Sequence, residues 1–144
     1  MNEIEILLVE DNPDDLEMTL HALRQANVAN RIQVARDGAE ALDFIFCEGP
    51  FAARKMASGP KIILLDLKLP KVDGREVLGR IKGDVRTRKI PVIMLTSSKE
   101  QNDMVDSYHL GVNSYIVKPV DFDRFAATVQ QLGLYWLALN QLNA

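Results

Sequence analysis

Short apolar runs alternate with segments of helical periodicity along almost the whole of this chain. The apolar runs, which are the strand candidates, are residues 4–9, 31–35, 62–65, 92–95 and 114–117. Between and after them, apolar residues recur at the three- or four-residue spacing of a helix face, as Leu16, Leu20 and Leu23 do. Strands that alternate with helices form a parallel sheet covered on both faces, so the pattern predicts an α/β fold of five strands and five helices.

Capping residues mark where the helices should begin. Asn12 is followed by Pro13, an N-cap with proline at the first helical position. The other predicted helices begin near residue 39, Asp73, Ser98 and Asp121. Residues 48–60 have Gly and Pro near both ends and are predicted to form a loop.

Length and composition place bounds on the function. A chain of 144 residues with 47% hydrophobic and 26% charged residues suits one globular domain, here residues 1–144. A net charge of −3 is not typical of a nucleic-acid binder. The chain has no signal-peptide pattern and no apolar run long enough to span a membrane, so we expect a cytoplasmic protein. Its one cysteine, Cys47, excludes an intramolecular disulfide.

Polar residues follow four of the predicted strands where each one ends. The first strand ends at Glu10 and Asp11, the third at Asp66, the fourth at Thr96 and the fifth at Lys118. In an open α/β sheet, ligands bind beyond the carboxyl ends of the strands. Two carboxylates about 4 Å apart repel by about 4 kcal/mol at an effective dielectric of about 20. Bound Mg²⁺, which prefers oxygen ligands, would relieve this repulsion, and the lysine would add a balancing charge.

Four sequence blocks resemble the signature blocks of bacterial response regulator receiver domains, of the chemotaxis-regulator type. They are Val9-Glu10-Asp11-Asn12, the stretch from Leu65 to Gly74, Leu95-Thr96-Ser97 and the stretch from Tyr115 to Pro119. The resemblance covers a core of residues 4–130 and leaves 131–144 as a C-terminal extension. It implies a flavodoxin-like, doubly wound parallel sheet with strand order 2-1-3-4-5.

The resemblance also implies a role for each residue of the site. Asp66 would accept a phosphoryl group from the phosphohistidine of a sensor histidine kinase, and the domain would assist its own phosphorylation without being a turnover enzyme. The Mg²⁺ ligands would be Glu10, Asp11, Asp66 and the backbone carbonyl of Lys68. The remaining site residues would be the mobile hydroxyl of Thr96, the coupled aromatic Tyr115 and the phosphoryl-pairing amine of Lys118. The bond between Lys118 and Pro119 is expected to be cis.

Three other functions compete with this interpretation. A haloacid-dehalogenase type of hydrolase needs a second Asp two residues after its nucleophile as general acid, and that position holds Lys68. A nucleotide-binding domain would need a Gly-rich loop after the first strand, which is absent from the sequence. The more serious alternative is a module that binds partners without phosphorylation, although such degenerate receivers lose the acids or the lysine that this chain keeps.

The residues after Pro119 are too few for a DNA-binding output domain, so the signal should leave through the surface of the receiver itself. A single helix over residues 121–142 would be about 33 Å long and would extend beyond the sheet. We predict a homodimer through this helix, with Gly133 as the point where the segment could instead fold back onto the domain. The predicted interface residues are Phe122, Phe125, Val129, Tyr135, Trp136 and Leu139. The 48–60 insertion, the stretch from Asp73 to Leu78 and this aromatic tail resemble single-domain regulators paired with bacterial phytochrome kinases.

Overall fold

The computed structural model of this chain describes residues 5–25, 31–97 and 111–133, and its centre is a five-stranded parallel sheet. The strands are β1 (Ile6–Val9), β2 (Ile32–Ala35), β3 (Ile62–Asp66), β4 (Val92–Thr96) and β5 (Ser114–Val117). Their order in the sheet is β2-β1-β3-β4-β5, with every neighbouring pair parallel. The predicted fold class and strand order are confirmed.

Four helices are described, and side-chain caps begin them where the sequence predicts. They are α1 (Pro13–Gln25), α2 (Gly38–Ile45), α3 (Gly74–Gly83) and α4 (Phe122–Gln131). The Asn12 side chain accepts a hydrogen bond from the amide of Asp15, and Asp73 and Asp121 cap the two later helices in the same way. The helix predicted to begin at Ser98 lies outside the described residues.

The sheet separates two apolar cores because alternate strand residues point to opposite faces. On one face, Ile6 and Leu8 of β1 pack with Leu23 of α1 and Phe125 of α4. On the other face, strand residues such as Val9 pack with α2 and α3. All residues of β1, β3 and β4 are buried, as expected for strands covered on both sides. The sheet is therefore the middle layer between the two apolar cores.

The 48–60 segment is a loop that contains two short 3₁₀ turns, Gly49–Phe51 and Met56–Ser58. Arg54 anchors it, because its guanidinium donates to the carbonyl of Phe44 at 2.6 Å and lies 4.0 Å from the centre of the Phe44 ring. Phe51 packs edge-on against the same ring at 5.1 Å. The insertion is therefore fastened to the C-terminal end of α2.

The structure of the last helix, α4, contradicts two predictions, its length and part of the dimer interface. The helix ends at Gln131, and the amides of Leu132 and Gly133 close a turn onto the carbonyls of Thr128 and Gln130. Gly133 has φ +76, a conformation that interrupts a right-handed helix, so an unbroken helix over residues 121–142 is wrong.

The interface prediction also fails for part of α4. Phe125 and Val129 are fully buried in the core beside α1, so neither side chain can contact a partner. Phe122 is half-buried against the same core. The error arose because an apolar seam at helical spacing is the same whether it faces the sheet of its own chain or a second copy. Tyr135, Trp136 and Leu139 lie outside the described residues.

Among the described residues, no helix combines the length and the apolar character that crossing a membrane requires.

Candidate functional site

Three carboxylates meet at the carboxyl edge of the sheet. Glu10 and Asp11 follow β1 directly, and Asp66 is the last residue of the neighbouring strand β3. Each offers one oxygen to a cluster in which these atoms lie within 4.8 Å of one another. Glu10 and Asp66 are buried, whereas Asp11 is exposed to solvent. The structure thus brings together the acids that the sequence predicted.

Lys118 closes the cluster from β5. Its ammonium nitrogen lies 3.0 Å from Oε1 of Glu10, 3.1 Å from Oδ2 of Asp66 and 3.0 Å from Oδ2 of Asp15. Burial works against the charged form, but the hydrogen bond to Glu10 and the charges of Asp66 and Glu10 outweigh it and raise the pKa of Lys118. The lysine therefore stays charged, and its peptide bond to Pro119 is cis as expected.

The pKa of Asp66 is raised to about 8, far from its ordinary value of 3.8. Burial of the carboxylate is the largest cause, followed by its hydrogen bond with Glu10 and the negative charge of Glu10, and Lys118 offsets only part of this. Without a metal ion, the carboxyl group of Asp66 therefore keeps its proton to a higher pH than an ordinary aspartate.

The oxygens present fit a divalent cation. Oε1 of Glu10 is fully buried and lies 3.0 Å from the Lys118 ammonium. Oδ1 of Asp66 accepts a hydrogen bond from the backbone amide of Lys68 at 3.4 Å. Hard divalent cations prefer carboxylate and carbonyl oxygens of this kind. The Lys68 peptide is therefore at the site, while its side chain is exposed.

Thr96 and Tyr115 lie on one face of the sheet, on the strands β4 and β5 that follow β3 in the strand order. Thr96 ends β4, is fully buried, and donates through its hydroxyl to the carbonyl of Ser97 at 3.1 Å. Tyr115 is half-buried on β5 and pairs in register with Met94, two residues before Thr96. Because residues two apart on a strand share a face, the hydroxyl and the aromatic ring are on the same side.

Two residues that the sequence reasoning did not select complete the site. Asp15, in the first turn of α1, contacts Lys118, and only its three-residue spacing from the Asn12 cap could have drawn attention to it. Gly74 begins α3 directly against the phosphoacceptor candidate, because a Cβ there would lie 2.2 Å from the backbone oxygen of Asp66. In the sequence, this close approach is indicated only by the glycine that directly follows the helix cap Asp73.

Gly74→Ala is expected to lower the free energy of unfolding by about 2–4 kcal/mol, because the added methyl group would force β3 and α3 apart. Urea denaturation measures this change. Gly79→Ala is the matched control, since a Cβ at that position of the same helix meets nothing within 4 Å. The control should raise stability by about 0.5–1 kcal/mol through helix propensity, and equal effects of the two variants would contradict the prediction.

The metal-free protein is expected to lose stability as the pH rises from about 4 to about 8. In this window the folded chain keeps a proton on Asp66 that the unfolded chain releases, because the folded pKa is about 8 and the ordinary value is 3.8. The stabilisation from this proton is complete at a pH below the pKa of Asp66 in the unfolded chain. It is lost as the pH rises through the pKa of Asp66 in the folded chain. Its slope is at most about 1.4 kcal/mol per pH unit. Urea unfolding in EDTA at several pH values measures the free energy of unfolding, which should fall with pH for wild type and change less for Asp66→Asn. Parallel pH dependences for the two proteins would refute this prediction.

Comparisons with known proteins agree with this geometry. The profile of the response regulator receiver domain matches residues 6–130. The probable methanogenesis regulatory protein FilR2 of Methanothrix harundinacea is 42% identical over 94% of this chain and 85% of its own length.

Solved structures are similar along nearly the whole chain. The bacteriophytochrome response regulator RtBRR is 53% identical with a TM-score of 0.84, over 94% of this chain and 81% of that one. The Mn²⁺-bound form of the response regulator Rcp1, from Synechocystis sp., is 37% identical with a TM-score of 0.74, over 92% of this chain and 93% of that one. The receiver profile covers every residue of the acidic cluster and Lys118, so this chain belongs to the response regulator receiver domain family.

Proposed function

We propose that Asp66 accepts a phosphoryl group from the phosphohistidine of a sensor histidine kinase. A carboxylate oxygen of Asp66 forms the new P–O bond as the P–N bond of the donor breaks and its electron pair stays on the ring nitrogen. Because the other ring nitrogen of the donor is protonated, the products are an acyl phosphate on the aspartate and a neutral imidazole on the kinase. The observation that carries the proposal is the convergence of three carboxylates and one ammonium around a single buried aspartate. An aspartate becomes a usable nucleophile when such positive charge neutralises the incoming phosphoryl group.

Each residue has a distinct part in the proposal. Mg²⁺ held by Glu10, Asp11, Asp66 and the Lys68 carbonyl would supply the positive charge that the phosphoryl oxygens need. Lys118, already 3.1 Å from Asp66, pairs with a phosphoryl oxygen. The hydroxyl of Thr96 turns from the Ser97 carbonyl toward the phosphoryl group. The ring of Tyr115, on the same face of the sheet as Thr96, then changes its rotamer.

The domain acts as a phosphoryl acceptor and switch, with residues 4–130 as the receiver and 131–144 as its extension. Phosphorylation shifts an existing equilibrium between two surfaces. Because the donor kinase uses ATP, we place the protein in the cytoplasm. The complete set of acids and the lysine favours this role over a phosphorylation-independent binding module.

We further infer that the donor is a bacteriophytochrome histidine kinase. The support is the similarity to RtBRR, which is described as a bacteriophytochrome response regulator and shares more than half of the aligned residues. Phosphotransfer profiling tests it: purified ³²P-labelled kinases are mixed with the protein at short times, with Asp66→Asn as the control. We expect transfer from phytochrome kinases to be faster than from the other kinases. Equal or slower transfer from the phytochrome group would refute this choice of donor.

We also propose a homodimer that uses the chain beyond Gly133, since Phe125 and Val129 of α4 are committed to the core. Trp136→Ala is then expected to shift the protein toward monomer at tens of micromolar, measured by analytical ultracentrifugation with and without beryllofluoride. Ala127→Ser, an exposed position on α4, is the control and should leave the dimer unchanged. A wild-type protein that sediments as a monomer under both conditions would contradict the proposal.

A further inference from the structure

The Lys118 ammonium has three carboxylate neighbours, and one of them is not part of the acidic cluster. Glu10 and Asp66 lie 3.0 and 3.1 Å from it and are deeply buried, with side-chain exposures of 0% and 6%. Asp15 also lies 3.0 Å from it, with a third of its side chain exposed. An ammonium has three donors, so these three carboxylates can occupy all of them.

The first turn of α1 places Asp15 beside Lys118. The side chain of Asn12 accepts a hydrogen bond from the Asp15 amide at 3.0 Å, which fixes the first turn of the helix. The carboxylate of Asp15 then reaches Lys118, 103 residues away in the chain. The contact joins α1 to the end of β5 directly beside the phosphoacceptor candidate.

The exposure of the three carboxylates decides which one can release the lysine. Leaving Glu10 or Asp66 without a cation would strand a buried charge, which is costly. Asp15 can turn into water instead, because its outer side is already solvated and exposed ion pairs are weak. Asp15 is therefore the exchangeable partner of Lys118.

We propose that Asp15 is a positioning residue that competes with the phosphoryl group on Asp66 for the ammonium of Lys118. This inference rests on the proposed function and deepens it. In the unphosphorylated protein Asp15 holds the lysine at the mouth of the site. When a phosphoryl oxygen arrives, the lysine exchanges Asp15 for that oxygen, so the strength of the Asp15 contact limits how tightly the site binds the group.

Calorimetric titration with beryllofluoride, a stable mimic of the aspartyl phosphate, tests the competition at saturating Mg²⁺. Asp15→Asn keeps the shape of the side chain and removes its charge, so its Kd for beryllofluoride should fall about 3- to 10-fold. Asp15→Ala is a second variant with the same expectation, and thermal unfolding checks that both are folded.

Asp14→Asn is the matched control, because Asp14 is exposed, adjacent in sequence and forms no ion pair within the described part of the chain. It removes the same charge, so its effect on the Kd should be below about 2-fold and should vanish at about 0.5 M salt, where long-range electrostatics are screened. The effect of Asp15→Asn should persist there, since its contact is direct and partly buried.

The possible results distinguish a failure of the Asp15 competition from a failure of Asp66 as the phosphoacceptor. Tighter binding by Asp15→Asn than by Asp14→Asn at high salt supports the competition. Equal values for the two variants, or weaker binding by Asp15→Asn, would overturn it while leaving Asp66 as the acceptor. A wild-type protein that binds no beryllofluoride in the presence of Mg²⁺ would overturn the proposed function and this inference with it.

Discussion

Asp66→Asn is expected to reduce phosphoryl uptake from acetyl phosphate by more than about 100-fold, to the limit of detection. An amide oxygen carries no negative charge and cannot form the acyl phosphate, while the other residues of the site remain in place. Incubation with acetyl phosphate and Mg²⁺, followed by intact-protein mass spectrometry, measures the added phosphoryl group directly. Wild type should lose this uptake when EDTA removes the metal.

Folding of the Asp66→Asn variant should be intact, which separates loss of chemistry from loss of structure. Asparagine has the shape of aspartate, and the charge it removes is one that burial and Glu10 disfavour in the metal-free protein. Asp123→Asn, an exposed position in the first turn of α4, is the matched control and should take up the phosphoryl group like wild type. Uptake by Asp66→Asn at the wild-type rate would eliminate Asp66 as the acceptor.

Lys118→Met is expected to slow phosphoryl uptake by about 100-fold, since loss of a positioned donor to a developing charge has effects of that size. It should also lower the free energy of unfolding of the metal-free protein by about 3 kcal/mol. The reason is that Glu10 and Asp66 are buried and lose the one ammonium that lies near both among the described residues.

Added Mg²⁺ should restore most of the stability of Lys118→Met but not its rate of phosphorylation. A divalent cation replaces the missing charge between the carboxylates, yet it does not take the place of the amine that pairs with the phosphoryl oxygen. Urea unfolding with EDTA or Mg²⁺, alongside the mass-spectrometric assay, measures both properties. Lys89→Met, at an exposed position, should behave as wild type. A Lys118→Met protein as stable as wild type in EDTA would show that the acids do not depend on this lysine.

Local signals in the sequence were sufficient to predict the strands, the starts of the described helices and the edge of the sheet where the polar residues meet. Buried parallel strands require continuous apolar runs such as residues 62–65, and these runs end where the polar residues begin. Helix starts could be predicted because a cap such as Asp73 or Asp121 bonds to an amide two or three residues away. Since parallel strands all end at one edge, the meeting of Glu10, Asp66 and Lys118 followed from chain order.

The packing partner of α4 and the position of its end could not be predicted from local sequence patterns. The seam formed by Phe122, Phe125 and Val129 predicts that one face of the helix is buried, but it does not say against what. In the structure this face packs on the sheet and on α1, so the interface prediction failed for Phe125 and Val129. Gly133 was recognised as a possible bend, yet helical spacing continues through it, and only the backbone shows the positive φ that ends the regular helix.

By itself, the sequence determined the α/β class and the strand ends that form the site, because these depend on short-range periodicity and on the common direction of the strands. The resemblance of its sequence blocks to receiver domains then indicated Asp66 as the candidate acceptor. The tertiary structure alone decided that Asp15 reaches Lys118, that Gly74 presses on the Asp66 backbone and that the pKa of Asp66 is raised. Each of these depends on ångström-scale distances between residues that the fold, and not their order in the chain, brings together.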